Sequence, residues 1–373
     1  MRLFVVAAVV TLAAPARAEE PRELVEDARA LLVVGACAEG PLPASIKPTT
    51  VAGYCKRVRA AQQEYKDKWV APARDFFAAH VPKDIPKIVV YPFAGGDLTT
   101  ALTVYPDAEE ITTLSLEPAG DPRALAKLDD RALKGALAVV EKELTSFYRK
   151  DFSVTMNMIG AMRGGELPTQ LIFSLSALAI HGYEPVSLRY FRLTKQGEVV
   201  YLTEADFVKL DAIKNTSQRN HALANMELRF HKKGDKREQV YRHIEANLDD
   251  KHLKVDPSAL AYLEKKSAVA AMTKAASYLL TFDDFSSIRK YIVEHVVWMV
   301  SDSTGLPPKI GLPAGFDYEV YGAYELSNMA AGAAVTPQWR ALYKAQPKRD
   351  LPFRFGYPDK KLRGHLIIMR KKQ

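Results

Sequence analysis

A mixed α/β fold, with a βαβ Rossmann-like unit, additional strands and hairpins, and covering helices, is the class that this sequence predicts. Three observations carry it. Lys87 to Phe93 is a β-rich run that ends on the turn Ala94-Gly95-Gly96-Asp97. Leu98 to Tyr105 suits a short helix with Asp97 as its cap, stopped by Pro106-Asp107. Ile111 to Leu116 is a second β-rich run, ending at Glu117-Pro118-Ala119-Gly120. If the two strands are parallel, Asp97 and Glu117 lie at their carboxyl ends, the edge where open α/β sheets hold ligands. The chain has 373 residues, of which 48% are hydrophobic and 26% charged, so collagen-like, disordered and coiled-coil classes are excluded.

The elements before this unit read as a leader and a helical preface. Arg2 supplies a positive n-region, Leu3 to Ala14 is an uncharged and mainly apolar run, and Ala16-Arg17-Ala18 is a small-x-small cleavage site. A run this short does not span a bilayer, which needs roughly 20 residues. Residues 1–18 are therefore expected to be a signal peptide cleaved after Ala18, leaving an exported protein, periplasmic or secreted, with no transmembrane segment; a buried N-terminal strand is the alternative. Residues 19–80 form the preface. Leu24, Ala28, Leu31 and Leu32 have helical spacing, and a second helix runs from Thr49-Thr50 to Ala79 with a kink or break at Pro72. In an oxidising compartment Cys37 and Cys55 are expected to form a disulfide across the turn-rich interval GPLPASIKPTT, rather than remain two buried thiols.

Residues 81–373 are expected to form the mixed α/β domain, with a basic C-terminal strand and tail. After the βαβ unit, Asp121 to Lys150 and Leu167 to His181 have helical patterns. VSLRYFRLT and EVVYL make a hairpin about Gln196-Gly197, and NMELRFHKK and KREQVYRHIEA make another about Gly234-Asp235. Helices are predicted around Ala259 to Leu280 and Ser286 to Val300, and HLIIMRKK reads as a last core strand.

Charge is uneven. Without Arg2 and Arg17 of the leader the net charge is +6, whereas residues 344–373 hold ten Lys/Arg against Asp350 and Asp359, a net of +8. The remainder is thus about neutral, at −2. The basic end can face an anionic envelope surface or polymer; a solvated terminus is the plainer reading. No nucleic-acid partner is expected.

Several motifs bear on chemistry. Glycines after a strand expose backbone N–H groups to an anionic ligand, and Glu117 stands about 20 residues on, where a ribose-binding carboxylate would be. The Gly95-Gly96-Asp97 turn nevertheless lacks the third glycine of the dinucleotide fingerprint, and turn geometry alone also explains it. No cofactor is expected. Asp97 and Glu117 suit an acid/base pair if their separation allows; a helix cap and a salt-bridged loop carboxylate are the structural alternative. Ser301-Asp302-Ser303-Thr304-Gly305 packs a carboxylate and hydroxyls into five residues, as a polar-ligand turn or as simple helix termination. His181 and Glu184 are a weak base-and-orienter pair, and the histidines between His221 and His252 are too irregular for a metal pair, so no metal is expected. Zinc-helix, nucleophile-elbow, Walker and Cys-x-x-Cys signatures are absent.

The string VVYPFAGGDLTTALTVYPDAEEITTLSLEPAGDP resembles an exported bacterial family with the pattern YPF-[SG]-[GP]-D, FP-[DN]-A and LEP-x-G. KAASYLL, DFSSIRKYI, SDSTGLP and LPFRFGYPDKKLRGHLIIMRKK look like further blocks of that family. The resemblance implies the block organisation of residues 85–373 and no activity. Where those relatives commonly have Asp-Asp-Ser-Gly, this chain has Asp302-Ser303-Thr304-Gly305 and so one carboxylate fewer.

The reading that results is an exported cell-envelope protein that binds a polar small molecule or glycan at the carboxyl edge of the βαβ unit. Gly95, Gly96, Asp97, Glu117, Asp302 and Ser303 are its candidate ligand residues, and Asp97→Asn is expected to weaken binding with little loss of stability. The alternatives are a carboxylate-dependent hydrolase of envelope polymers and a non-catalytic structural or interaction protein.

Overall fold

The computed structural model describes residues 19–152 and 166–372; the signal peptide and cleavage site expected from the sequence lie outside them. The preface folds as α1 (Val25–Val34), α2 (Pro48–Tyr65) and α3 (Ala71–His80), with a π-helical turn over Lys66–Val70 between the last two. Pro72 has no N–H and its ring crowds the carbonyl four residues back. The widened turn ends just before it, where the Ala71 N–H reaches back to the Lys66 carbonyl. Cys37 and Cys55 are bonded, their Cα atoms 5.3 Å apart, and tie the loop after α1 to the body of α2.

The βαβ unit is present as β1 (Ile88–Pro92), α4 (Leu98–Val104) and β2 (Glu110–Ser115). Its strands are parallel and in register from Ile88↔Glu110 to Pro92↔Leu114. Two helices follow, α5 (Asp130–Lys150) and α6 (Thr169–His181), and then the antiparallel hairpin β3 (Tyr183–Leu193) and β4 (Val199–Tyr201). A second antiparallel hairpin, β5 (Asn225–Lys232) and β6 (Glu238–Glu245), turns through Gly234 at φ +83°.

The two late helices are shorter than their sequence suggests. Helix occupies only Ser258–Glu264 and Ser286–His295. The apolar runs that follow each are strands, β7 (Val269–Thr273) and β8 (Val296–Ser301). Both lie inside the sheet and are covered on both faces, so they read as continuous apolar runs without alternation, a pattern that does not separate strand from helix. The chain closes with β9 (Phe316–Gly322), helix α7 (Thr336–Ala345) and β10 (His365–Lys371).

All ten strands form one sheet in the order β4-β3-β5-β6-β2-β1-β7-β8-β10-β9. From β6 to β8 the neighbours are parallel. Numbered along the chain, those five strands stand in the order third, second, first, fourth, fifth, which is the doubly wound arrangement. The order reverses between β1 and β7. At the far side β10 inserts antiparallel between β8 and β9.

Side chains alternate between two cores. Val89, Tyr91, Ala270, Met272, Trp298 and Val300 join one cluster with Leu31, Val58, Trp69 and Phe77 of the preface. Val90, Val269, Ala271 and Met299 join the opposite cluster with Ile288 and Trp339. The preface is therefore a cover for one face of the sheet. Among the described residues no helix is long and apolar enough to cross a membrane.

Candidate functional site: the carboxyl edge at the strand-order reversal

The turns that leave β1 and β7 flank the reversal, and both use left-handed backbone. Phe93 has φ +60°, and after β7 Ala275, Ser277 and Tyr278 have φ +52°, +51° and +60°. For residues with a Cβ this conformation costs roughly 1–2 kcal/mol each. The turns are held there by what their side chains do.

Asp97 caps α4, accepting from the Thr100 N–H at 3.0 Å. Its other oxygen lies 2.7 Å from Lys274 Nζ and accepts from the Tyr91 hydroxyl at 3.2 Å. Lys274 also donates to Thr100 Oγ1 at 2.6 Å and pairs with Asp151 at 3.2 Å. Asp151 is the left-handed residue that ends α5, and it accepts from the Tyr65 hydroxyl at 2.9 Å. The rings of Trp69, Phe147 and Phe355 surround the ammonium at 5.2, 5.6 and 5.7 Å. The π-helical turn before Pro72 is what sets Trp69 there.

This is a triad of charges in an aromatic cage, at 1% exposure for the Lys274 side chain. Burial lifts the Asp151 carboxyl to about 7, with Lys274 opposing and Asp97 adding to the rise. Burial alone would lower Lys274, but Asp151 and Asp97 together hold its ammonium above the ordinary range. Near neutral pH the Asp151 carboxyl is therefore poised between its protonated and ionised forms, beside a charged Lys274.

Asp302 grips the same segment from the β8 side. Its carboxylate accepts from the backbone N–H groups of Ala275 at 3.2 Å, Thr304 at 2.9 Å and Tyr357 at 2.9 Å. Gly356, at φ +64°, makes room for it, because a Cβ there would stand 2.1 Å from an Asp302 oxygen. The Ser303 N–H donates to His365 Nε2 at 3.0 Å, and its hydroxyl meets the Tyr278 hydroxyl at 2.8 Å. Asp97 and Asp302 thus converge on two adjacent residues, Lys274 through its side chain and Ala275 through its N–H.

Glu117 stands apart. It follows β2, on the other side of β1, where its carbonyl oxygen is 2.6 Å from His243 Nε2. Its carboxyl group acts on Tyr241 and Glu245. Burial drops His243 to about 4, the Glu117 carbonyl partly offsetting this, so the imidazole is neutral. Solvent reaches none of the three predicted carboxylates, with Asp97 at 2% exposure and Glu117 and Asp302 at 0%.

The glycines of the turn serve packing against α6. The Gly95 carbonyl accepts from Gln170 at 3.1 Å, and a Cβ on Gly96 would meet Phe173 Cδ1 at 2.6 Å. A ring, and no phosphate cradle, explains why Gly96 lacks a side chain. Dinucleotide chemistry finds no footing at this turn.

One further pattern was invisible in the sequence. Ser115, Thr273 and Ser301 are the last residues of β2, β7 and β8, and each has a buried hydroxyl without a hydrogen-bond partner among the described residues. Asp151 Oδ2 and Gln170 Oε1 share that condition. Sequence reasoning missed Lys274 because it predicted a helix around Ala259 to Leu280; a strand ending at Thr273 puts the residue at the carboxyl edge of the sheet. Compared with known proteins, the chain matches no protein-family model and no curated protein.

Proposed function

We propose that this is an exported cell-envelope protein that binds a polyhydroxylated small molecule or glycan fragment at the carboxyl edge, beside the reversal between β1 and β7. One observation carries the reading: Thr273 and Ser301, which end the neighbouring strands β7 and β8, both present buried hydroxyls that the described residues leave unpaired. Each such group costs about 1–3 kcal/mol when unmet, and native interiors seldom tolerate several together. A ligand rich in hydroxyls both donates and accepts, so it matches a pair of hydroxyls of this kind. The disulfide and the leader support the exported location. A carboxylate-dependent hydrolase has less support, because Asp97 is engaged by Lys274, Tyr91 and Thr100.

The test is native mass spectrometry of protein released intact from its own cell envelope, compared with its denatured mass. A stoichiometric polyhydroxylated adduct and an N-terminus at Glu19 are expected, with the adduct lost in the Thr273→Val/Ser301→Ala variant. A bare native mass overturns the ligand reading, and intact Met1 in the cytoplasmic fraction overturns export.

A further inference from the structure

A second surface, independent of the carboxyl edge, has its own chemistry. Lys360-Lys361-Leu362-Arg363 forms the tip of a turn before β10. Leu362 is 81% exposed, the most exposed large apolar side chain among the described residues, and it sits at φ +59°. Glycine or asparagine is the ordinary occupant of such a position, since a leucine there is strained and here gains no packing in return.

The turn beneath it is rigid. Asp359, 1% exposed, accepts from the N–H groups of Lys361 at 2.9 Å, Arg363 at 3.0 Å and Glu325 at 3.1 Å, and from the Arg363 guanidinium at 2.6 Å. The Lys360 N–H donates to the carbonyl of Leu326, itself 37% exposed. Leu362 is therefore projected by a built support.

Arg363, the next residue, joins this turn to a basic cleft. An open cleft of about 780 Å³ beside the turn is lined by Arg340 and Lys344 of α7, by Lys348, Arg349 and Arg363, with Asp350 as its one carboxylate. Arg349 and Arg363 have carboxylate partners in Glu319, Glu325 and Asp359. Arg340, Lys344, Lys348 and Lys360 form no ion pair with a described residue. Arg340 and Lys344 are four residues apart on one helix, where like charges repel.

We propose that this face docks on a bilayer surface rich in anionic lipid, with Leu362 entering the headgroup boundary and the unpaired cations meeting the headgroups. Charge complementarity selects an anionic partner, and the exposed leucine selects a membrane over a soluble polyanion. The attachment is peripheral: one apolar side chain and a polybasic patch give reversible binding, weakened by salt.

Co-sedimentation of the purified protein with vesicles tests this, using phosphatidylcholine alone or mixed with phosphatidylglycerol. Binding only to the anionic vesicles, reversed by high salt, is expected. Lys344→Gln, Lys348→Gln and Lys360→Gln should each weaken it about fivefold. Leu362→Asn, which suits the left-handed backbone and so keeps the fold, should weaken it about tenfold while leaving retention on dextran sulfate unchanged. Equal binding to neutral vesicles, no binding to anionic ones, or full vesicle binding by Leu362→Asn overturns the proposal. Capture by dextran sulfate or DNA without vesicle binding also overturns it, in favour of a soluble polyanion.

Discussion

Replacing Lys274 by methionine removes the only cation within ion-pair reach of Asp97 and Asp151 among the described residues, and fills its space with an apolar chain. At an effective dielectric of about 20, unit charges at 2.7 and 3.2 Å attract with roughly 5–6 kcal/mol each. Desolvating the ammonium offsets several kcal/mol of this, and breaking such a buried set leaves a net loss of about 3–5 kcal/mol. With an unfolding entropy of roughly 0.7 kcal/mol/K for a chain of this size, a loss of about 4 kcal/mol lowers Tm by about 6 °C. The loss should be larger at pH 8 than at pH 5, because the abandoned Asp151 carboxyl, raised to about 7, holds its proton at the lower pH. Adding Asp97→Asn and Asp151→Asn to Lys274→Met should recover most of it, since the charges in need of a partner are then gone. Thermal unfolding of the three forms at both pH values reads this out. A single variant within 1 kcal/mol of the parent at pH 8, or a triple variant no better than the single, would refute the argument that the triad is held by charge compensation.

Other consequences are simpler to measure. Asp151, raised from 3.8 to about 7, binds a proton in the folded state that the unfolded chain releases, so its contribution is full below pH 3.8 and disappears as pH rises through 7; Asp151→Asn should flatten the fall in Tm over that interval. Cys55→Ser opens the crosslink spanning 18 positions and should cost about 3 kcal/mol, seen as a lower denaturation midpoint. Gly356→Ala should destabilise by at least 2 kcal/mol, because the added carbon meets Asp302 Oδ2 at 2.1 Å in backbone that disfavours a side chain; near-parental stability would mean that the Asp302 anchor is unimportant.

The parts of this molecule that were legible in the sequence are those with local punctuation. The βαβ unit announces itself through β-branched runs and a Gly95-Gly96 turn, and both hairpins through turn residues at Gly197 and Gly234. The disulfide follows from the compartment that the leader implies and from a turn-rich interval. β7 and β8 gave no such signal, since strands buried on both faces lose the alternation that marks a strand. That one misreading hid the site's main cation. It also altered the expectation for Asp97→Asn: with Lys274 at 2.7 Å the substitution uncouples a buried ion pair, so stability and binding should fall together and a loss of stability does not by itself argue against a ligand. Asp151 was hidden for another reason. It caps the far end of α5 and reaches Lys274 only through the tertiary fold, which no short-range pattern encodes.

The position of β10 has a consequence for the order of events during synthesis. β9 touches the sheet only through β10, which pairs with β8 on its other side. The strand made after all the others is thus an internal one, and β9 has no paired strand until residues 365–371 emerge. A ribosome-bound chain lacking that segment cannot close its sheet. The parallel strands from β6 to β8 pair without it, so the late strand completes one side of the sheet rather than its centre. A premature stop before His365 should leave two sheet edges exposed, a species that quality-control proteases would clear.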